Sequence, residues 1–302
     1  MYHIPVMLAE CLEGLAINPR GTYVDLTFGG GGHSKAILEK LDGGKLYAFD
    51  QDEDAAANAK QITNKHFTFI KANFRYLKKY LRLHNCSKVD GILADLGVSS
   101  HQIDSAERGF STRFDGDLDM RMDRNREISA KEIINKYSKD NLHRIFGMYG
   151  EVRNAKTLAE GIIQARTSKS IQTTSELKTI LNKYAPKFSE FKYQAQVFQA
   201  LRMEVNEELA ALEEMLLQTG EVMATNGRLV VLAYHSLEDR LVKNYIQKGK
   251  FHGEIEKDVY GNFYVPFAPI NRKPIEATAE EITENKRARS AKLRIASRNA
   301  LE

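Results

Sequence analysis

The sequence predicts an α/β protein, a doubly wound, Rossmann-like sheet with an all-α segment inserted into it. Strand and helix patterns alternate over roughly the first hundred residues, which is the rhythm of βαβ units and a parallel sheet. A glycine-rich turn follows the first strand. From about residue 105 to 220 only helical patterns occur, and strand character returns at 228–234. These observations predict a helical block inserted into an α/β domain.

The elements of the first part follow in order along the chain. A strand from Tyr23 runs into the glycines, and later strands are expected at 45–50, 67–70 and 89–95. Helices are expected at 33–41, 54–62 and 74–83. In such sheets, ligands bind beyond the carboxyl ends of the strands, where Asp25, Asp50 and Asp95 would emerge.

The turn Gly29-Gly30-Gly31-Gly32 predicts a nucleoside site. Consecutive glycines allow positive φ angles and close approach of a ligand to the backbone, and the following helix directs free N–H groups at that position. Asp50 ends the next strand about 20 residues later, where nucleotide-binding α/β folds place an acid on the ribose. The third glycine of the dinucleotide fingerprint is replaced by Ser34. An adenosine-containing cofactor is expected, with its identity still open.

The inserted block carries clear helix signals. Capping boxes begin at Ser129 and Thr173, and a long amphipathic helix is expected over 193–217, its apolar stripe serving as core. An Asn226-Gly227 turn is expected just before the strand at 228–234.

Composition bounds the class of protein. The chain has 302 residues, 42% hydrophobic and 28% charged, as in soluble globular proteins. It has no apolar run near the roughly 18 residues of a membrane span and no basic, apolar signal sequence at its start. Two isolated cysteines, Cys11 and Cys86, exclude a disulfide framework and a cysteine metal site. A cytoplasmic protein is expected.

The basic residues concentrate near the end of the sequence. The net charge is +4, and residues 286–298 hold six Lys or Arg side chains and no acid. Such a run is commonly a solvated face, but Leu293 and Ile295 interrupt it, so part is expected to pack on the body. A nucleic-acid contact is the alternative.

The loop after the fourth strand is the second polar segment of interest. It reads Asp95-Leu96-Gly97-Val98-Ser99-Ser100-His101-Gln102. In a doubly wound sheet this loop borders the reactive end of the cofactor, although Ser and Asp here also serve as simple caps.

These segments resemble the bacterial 16S ribosomal RNA (cytosine-N4)-methyltransferase family. The resemblance covers nearly the whole chain in order. It rests on 27–34 and 90–100, Glu107-Arg108-Gly109-Phe110-Ser111, Leu118-Asp119-Met120-Arg121-Met122-Asp123, Phe198-Gln199-Ala200-Leu201-Arg202, His235-Ser236-Leu237-Glu238-Asp239-Arg240 and 287–294.

The resemblance implies a class I methyltransferase that uses S-adenosylmethionine to methylate a decoding-centre cytosine of 16S rRNA. It implies a cofactor domain at 1–104 and 215–302 and a helical substrate-recognition domain at 105–214. The implied partner is 16S rRNA or the small ribosomal subunit, with monomer or homodimer left open and no membrane. The implied cofactor contacts are Gly31, Gly32, His33, Asp50, Phe74, Asp95 and Gln102.

Other roles follow from position and chemistry. Asp95 is the candidate acceptor or orienter of the substrate amine, and His235 a further candidate, with strand-end packing as its alternative. No metal is expected, since a sulfonium is already a good leaving group. Phosphate contacts are considered at Arg108, Arg113, Arg202, Arg287, Arg289, Lys292 and Arg294. The alternating acids and arginines of 117–124 are expected to form an internal ion-pair network, with base contacts as the alternative.

The chain departs from the family in one segment. Many members have His-Pro-Ala-x-Arg before Phe-Gln-Ala-Leu-Arg, whereas this chain reads Phe191-Lys192-Tyr193-Gln194-Ala195-Gln196-Val197. A role of that segment in gripping RNA is therefore in question. Three rival functions stay open: methylation of another RNA site, a non-catalytic RNA-binding assembly factor, and a nicotinamide oxidoreductase.

Overall fold

A computed structural model describes residues 5–300 except 256, 258, 262 and 263. The chain divides into two compact units, Met1–Gly97 with Leu209–Glu302, and Val98–Glu208. The first unit contains the sheet and the second is helical. The functional domains expected at 1–104 with 215–302 and at 105–214 stay predictions, and the structural division falls at 98 and 209.

The first unit is built on one eight-stranded sheet. Its strands are β1 (Thr22–Asp25), β2 (Lys45–Asp50), β3 (Phe67–Lys71), β4 (Val89–Asp95), β5 (Met223–Ala233), β6 (Phe267–Pro269), β7 (Ile275–Glu276) and β8 (Lys292–Arg298). The order is β3-β2-β1-β4-β5-β8-β6, with β7 also on β8. The strands β1 to β5 are parallel, whereas β8 is antiparallel to β5. This arrangement confirms the predicted doubly wound α/β fold.

Helices pack on both faces of the sheet. Those of the first unit are α1 (Leu8–Leu15), α2 (Gly32–Lys40), α3 (Glu53–Ala59), α4 (Leu77–Leu83), α12 (Ser236–Lys248) and α13 (Ala279–Glu284). Each face of the sheet has its own hydrophobic core, and alternate residues of β5 point into one or the other. Leu229 and Val231 pack with α4 and α12 on one face, and Val230 and Leu232 pack with α1 and α2 on the other. Continuous burial of both faces is the pattern of a central strand.

The second unit has a helical core of its own. Its helices are α5 (Ser100–Asp104), α6 (Ala130–Lys136), α7 (Lys139–Met148), α8 (Ala155–Ser168), α9 (Thr174–Asn182) and α10 (Glu190–Asn206), and α11 (Glu208–Val222) follows across the boundary. Both predicted capping boxes are present, at Ser129 with Glu132 and at Thr173 with Glu176. The only strand-like pairing among residues 98–208 is an isolated bridge between Asp117 and Thr173. Within the described chain, every helix is too short or too polar to cross a bilayer.

Two local predictions are corrected by the structure, and one strand was not predicted. The helix expected over 193–217 is two helices, because Glu207 takes a left-handed conformation with φ of 51°. The turn expected at Asn226-Gly227 lies inside β5, where Asn226 has φ of 65° and the pairing with β4 shifts register. Such a bulge inserts extra backbone without ending the strand. The basic run contains β8, a strand that the charge pattern did not predict.

Candidate active site

The glycine turn joins β1 to α2 in a conformation that depends on missing side chains. Gly31 has φ of 77°, and a Cβ there would lie 2.7 Å from the ring of Phe28. A Cβ on Gly32 would lie 2.3 Å from Cγ of Pro5. No side chain caps α2, so its first N–H groups stay available to a ligand. The turn therefore has the close-approach geometry that the sequence predicts for a cofactor.

Asp50 ends β2 directly beside this turn. Its Oδ2 accepts a hydrogen bond from Gly29 N at 2.8 Å, and its Oδ1 accepts one from Asp52 N at 2.9 Å. Burial raises the pKa of Asp50 to about 6, against the lowering effect of the two backbone donors. Each carboxylate oxygen keeps a second lone pair, so both ribose hydroxyls can still donate to Asp50.

Phe74 lies next to the end of β2. Ala72 N donates to Asp50 O at 3.0 Å, and Asn73 Nδ2 donates to Gln51 Oε1 at 2.9 Å. Phe74 follows in a short 3₁₀ turn and is half-buried against the sheet core. An apolar side chain two residues beyond the backbone partner of Asp50 fits the predicted wall of an adenine site.

Asp95 ends β4. This strand pairs with β1 on the side away from β2, and the order of the strands along the sheet reverses direction between β1 and β4. Its N–H donates to Thr27 Oγ1 at 2.6 Å, and Tyr234 Oη donates to its Oδ1 at 2.6 Å. Its Oδ2 lies 3.9 Å from His33 Nδ1. Burial raises the pKa of Asp95, while His33 and the hydrogen bond from Tyr234 oppose the rise. A carboxylate with a raised pKa is a better proton acceptor.

The side chain of His33 is also fixed. It is buried at the start of α2, and its Nε2 lies 3.1 Å from the carbonyl oxygen of Val6. Because a carbonyl only accepts, Nε2 carries a proton in this contact, and Nδ1 is the ring nitrogen that faces Asp95. The sequence predicted only the backbone N–H of His33 as a contact; its ring contact with Asp95 is an addition.

A third acid completes the strand ends. Asp25 at the end of β1 is buried, and its carboxylate accepts from Ser34 Oγ at 2.6 Å and from Thr27 N at 3.0 Å. Burial raises the pKa of Asp25. Ser34, which replaces the third fingerprint glycine, therefore links the glycine turn to β1.

His235 begins α12 rather than standing free. Its Nδ1 accepts from Glu238 N at 3.4 Å, and its Nε2 lies 3.1 Å from Glu238 Oε1. The same carboxylate accepts from Tyr234 N at 3.1 Å. These contacts give His235 a helix-capping role, and its catalytic role stays a prediction.

Gln102 belongs to the second unit. Its Oε1 accepts from Ser99 N at 2.9 Å, and its own N–H donates to Ser99 Oγ at 3.3 Å. This capping box holds the start of α5. A contact of Gln102 with the cofactor stays a prediction.

The basic side chains considered for RNA differ sharply in environment. Three are paired with other groups of the protein: Arg108 donates to the carbonyls of 121 and 122, Arg202 pairs with Glu208 at 2.8 Å, and Arg294 pairs with Asp239 at 2.6 Å. Arg113 and Arg289 are exposed, and Arg287 and Lys292 are half-buried. Arg121 pairs with Asp119 at 2.7 Å, as expected for an internal network.

Tyr234 is the site residue that sequence reasoning missed. It follows β5 and its pKa is raised well above the usual value, by burial first and then by Asp95. The available signal was its position directly after a buried strand that neighbours β4.

Strand order, glycine turn and strand-end acids together define a class I methyltransferase. The cradle at Gly31 and Gly32 and the paired acceptors of Asp50 fit S-adenosylmethionine, the methyl donor of this class. The family model described as the MraW methylase family matches residues 1–299, and the chain belongs to that family. This confirms the predicted family, enzyme class and cofactor.

The chain is similar along its whole length to proteins named Ribosomal RNA small subunit methyltransferase H. It is 62% identical to the one from Cytophaga hutchinsonii, over 99% of this chain and 100% of that protein. It is 53% identical to the one from Amoebophilus asiaticus, over 99% and 97%. The identity with the one from Flavobacterium johnsoniae is 55%, over 98% and 97%.

Proposed function

We propose that this enzyme methylates the exocyclic N4 amine of a decoding-centre cytosine in 16S rRNA. The observation that carries the proposal is the carboxylate of Asp95, fixed by Tyr234 and facing His33 at the end of β4. The names of the full-length relatives support small-subunit rRNA as the substrate. The ordered motifs described above support the decoding-centre cytosine.

Holding the cofactor falls to the first unit. The backbone of Gly31, Gly32 and His33 would receive the methionine portion, Asp50 the ribose hydroxyls, and Phe74 the adenine. When bound, S-adenosylmethionine supplies an electrophilic methyl group on a sulfonium. The helical unit, with Gln102 at its beginning, would recognise the RNA.

The enzyme must overcome the poor nucleophilicity of the cytosine amine. The lone pair of N4 is delocalised into the ring, so the amine has to be oriented, and the base has to leave its stack to enter a site. Asp95 Oδ2 accepts a hydrogen bond from the amine and takes its proton once the N–CH₃ bond has formed. The bound cofactor would supply a leaving group that departs as a neutral thioether, so the residues of this chain need only orient the amine and accept its proton.

Single-turnover methyl transfer tests the role of Asp95. With saturating cofactor, we expect Asp95→Asn and Asp95→Ala to slow transfer to unmethylated small subunits by roughly 100-fold or more. Rates equal to that of the wild type in both variants would remove Asp95 from the mechanism. Asp90→Asn is the control for general damage to the fold. It makes the same change of side chain at the opposite end of β4, where Asp90 accepts a hydrogen bond from Thr22 N.

Nucleoside mass spectrometry tests the substrate. Decoding-site nucleosides from a strain lacking this gene should contain no N4-methylcytidine derivative, and the purified enzyme should restore it. Retention of the modification in the deletion strain would overturn the assignment, and labelling at another position would favour another RNA site.

We propose a cytoplasmic location on the same basis, because the small subunit is there. Sedimentation would distinguish monomer from homodimer.

A further inference from the structure

Two phenylalanine side chains of the helical unit are exposed to solvent. Phe188 precedes α10 and Phe191 lies in its first turn, with 97% and 84% of their surfaces exposed. Burying an aromatic ring is among the largest favourable terms in folding. Leaving two rings outside the core, three residues apart, therefore calls for an explanation other than stability.

The conformation of Phe188 strengthens this point. Its φ is 62°, in the left-handed region that a bulky side chain rarely adopts. The Phe188 N–H donates to Glu190 Oε1 at 3.2 Å. Glycine would adopt the same backbone conformation with less strain. The phenylalanine ring at this position therefore costs conformational free energy.

The segment that carries the two rings is anchored at both ends. Tyr193 is buried, and its Oη donates to Asn154 Oδ1 at 2.9 Å. Asn154 Nδ2 in turn donates to the carbonyl of Tyr184 at 2.9 Å. Ser189 N donates to Pro186 O at 3.1 Å between these anchors. The rings therefore project from a preformed segment.

The charges around the rings are mostly positive. Lys183, Lys187 and Lys192 are exposed, and none forms an ion pair with another described residue. Glu190 is the one acid between residues 183 and 192. Aromatic rings on which bases stack, combined with cations that follow a phosphate backbone, are the elements of single-stranded nucleic-acid binding.

We propose that Phe188, Phe191 and the three lysines form a stacking surface for unpaired bases of the RNA substrate. The surface lies in the segment where the chain departs from the His-Pro-Ala-x-Arg pattern of its family. It rests on the proposed function, and it names the part of the helical unit that holds single-stranded segments of the RNA substrate.

Binding of a labelled single-stranded RNA of about 16 nucleotides tests the surface. We expect Phe188→Ala with Phe191→Ala to weaken binding roughly tenfold for each ring that stacks, and to remove the preference over a duplex of equal length. Phe188→Trp with Phe191→Trp should retain affinity. Met148→Ala, an exposed apolar side chain of the same unit, is the matched control and should bind as the wild type does.

Salt dependence separates stacking from charge. Replacing Lys183, Lys187 and Lys192 with Gln should reduce the slope of log K against log salt by about 0.7 for each lysine, whereas the Phe variants should keep the slope. Lys136→Gln with Lys156→Gln, exposed lysines elsewhere in the unit, are the controls.

Phe188→Gly removes the possibility of misfolding as an explanation. Because glycine adopts the left-handed conformation without strain, the melting temperature of the Phe188→Gly variant should equal or exceed that of the wild type, while its affinity for RNA falls. Wild-type affinity in the Phe variants would overturn the proposal, and so would a change from dimer to monomer with RNA binding unaltered. If the wild-type enzyme itself neither binds nor methylates small-subunit RNA, the proposed function fails as well, which distinguishes the two.

Discussion

The hydroxyl of Tyr234 donates a 2.6 Å hydrogen bond to Oδ1 of Asp95, joining the residue after β5 to the last residue of β4. The bond fixes the orientation of the carboxylate and leaves Oδ2 facing His33. We therefore propose that Tyr234 acts through Asp95 as a positioning residue.

Removing this hydroxyl should damage catalysis more than cofactor binding. A hydrogen bond to a charged group contributes about 1.5–3 kcal/mol, so Tyr234→Phe should lower the single-turnover rate by roughly 10- to 100-fold, with a small change in the Kd for S-adenosylhomocysteine. The bond lowers the pKa of Asp95, so its loss should move the acid limb of the pH–rate profile to higher pH. Tyr245→Phe, a core residue packed on Phe251 and Phe267, is the control; an unshifted profile in Tyr234→Phe would leave Tyr234 with a packing role only.

Cofactor affinity should depend on the ionisation of Asp50. Its pKa is raised to about 6, so the carboxylate is charged above that pH and neutral below it. We expect the Kd for S-adenosylhomocysteine, measured by calorimetry, to increase as pH falls through about 6, since a neutral acid accepts ribose hydroxyls less well. Asp50→Asn should bind weakly with no such step, and a wild-type Kd that is flat across this range would contradict the assignment.

The same raised pKa makes a prediction for stability. Between the unfolded pKa of 3.8 and the folded value of about 6, the native state holds more protons, so this group lowers the free energy of unfolding as pH rises. Asp50→Asn should therefore stabilise the unliganded protein more at neutral pH than near pH 5. Denaturant unfolding at the two pH values measures the difference, and an equal effect at both would refute it.

The glycine turn should not tolerate a side chain. Gly32→Ala places a Cβ 2.3 Å from Pro5, and Gly31→Ala adds left-handed strain of about 1–3 kcal/mol. Both should abolish the thermal shift given by S-adenosylhomocysteine. Gly43→Ala has the same backbone strain, with φ of 84° and open space around it, so it should lower stability but keep the shift.

The basic side chains near the end of the sequence should separate into two groups. Arg294→Ala leaves Asp239 unpaired beside β8 and should destabilise the protein by about 3 kcal/mol, as measured by chemical unfolding. Arg289→Ala, at an exposed position, should leave stability unchanged and weaken RNA binding. A loss of stability in Arg289→Ala, together with weaker RNA binding but unchanged stability in Arg294→Ala, would contradict this division.

The strand-and-glycine framework could be predicted because its signals are local. Four glycines, an acid at the end of β2 and alternating patterns all lie within short windows around Gly31 and Asp50. Strand β8 could not be predicted, because its buried arginines depend on partners that are distant in sequence: Arg294 pairs with Asp239, 55 positions away, and Arg298 donates to the carbonyl of Gly220, 78 positions away. Tyr234 was missed for a similar reason, since its hydroxyl meets Asp95 across 139 positions.

The two-helix break at Glu207 shows a different limit. Hydrophobic periodicity continues through this position, so the pattern contains no stop signal such as glycine or proline. Val205, before the left-handed Glu207, is buried in the core of the second unit, and Leu212, after it, is buried in the core of the first unit. A tertiary demand overrides local propensity here.

The pairing of β4 with β5 has a consequence for biosynthesis. The two strands are neighbours in the sheet, yet the whole helical unit is encoded between them. On a translating ribosome, β4 would wait roughly ten seconds for its partner, exposing an unpaired edge meanwhile. Nascent chains stalled before β5 should therefore recruit holdase chaperones, whereas chains stalled after β8 should not.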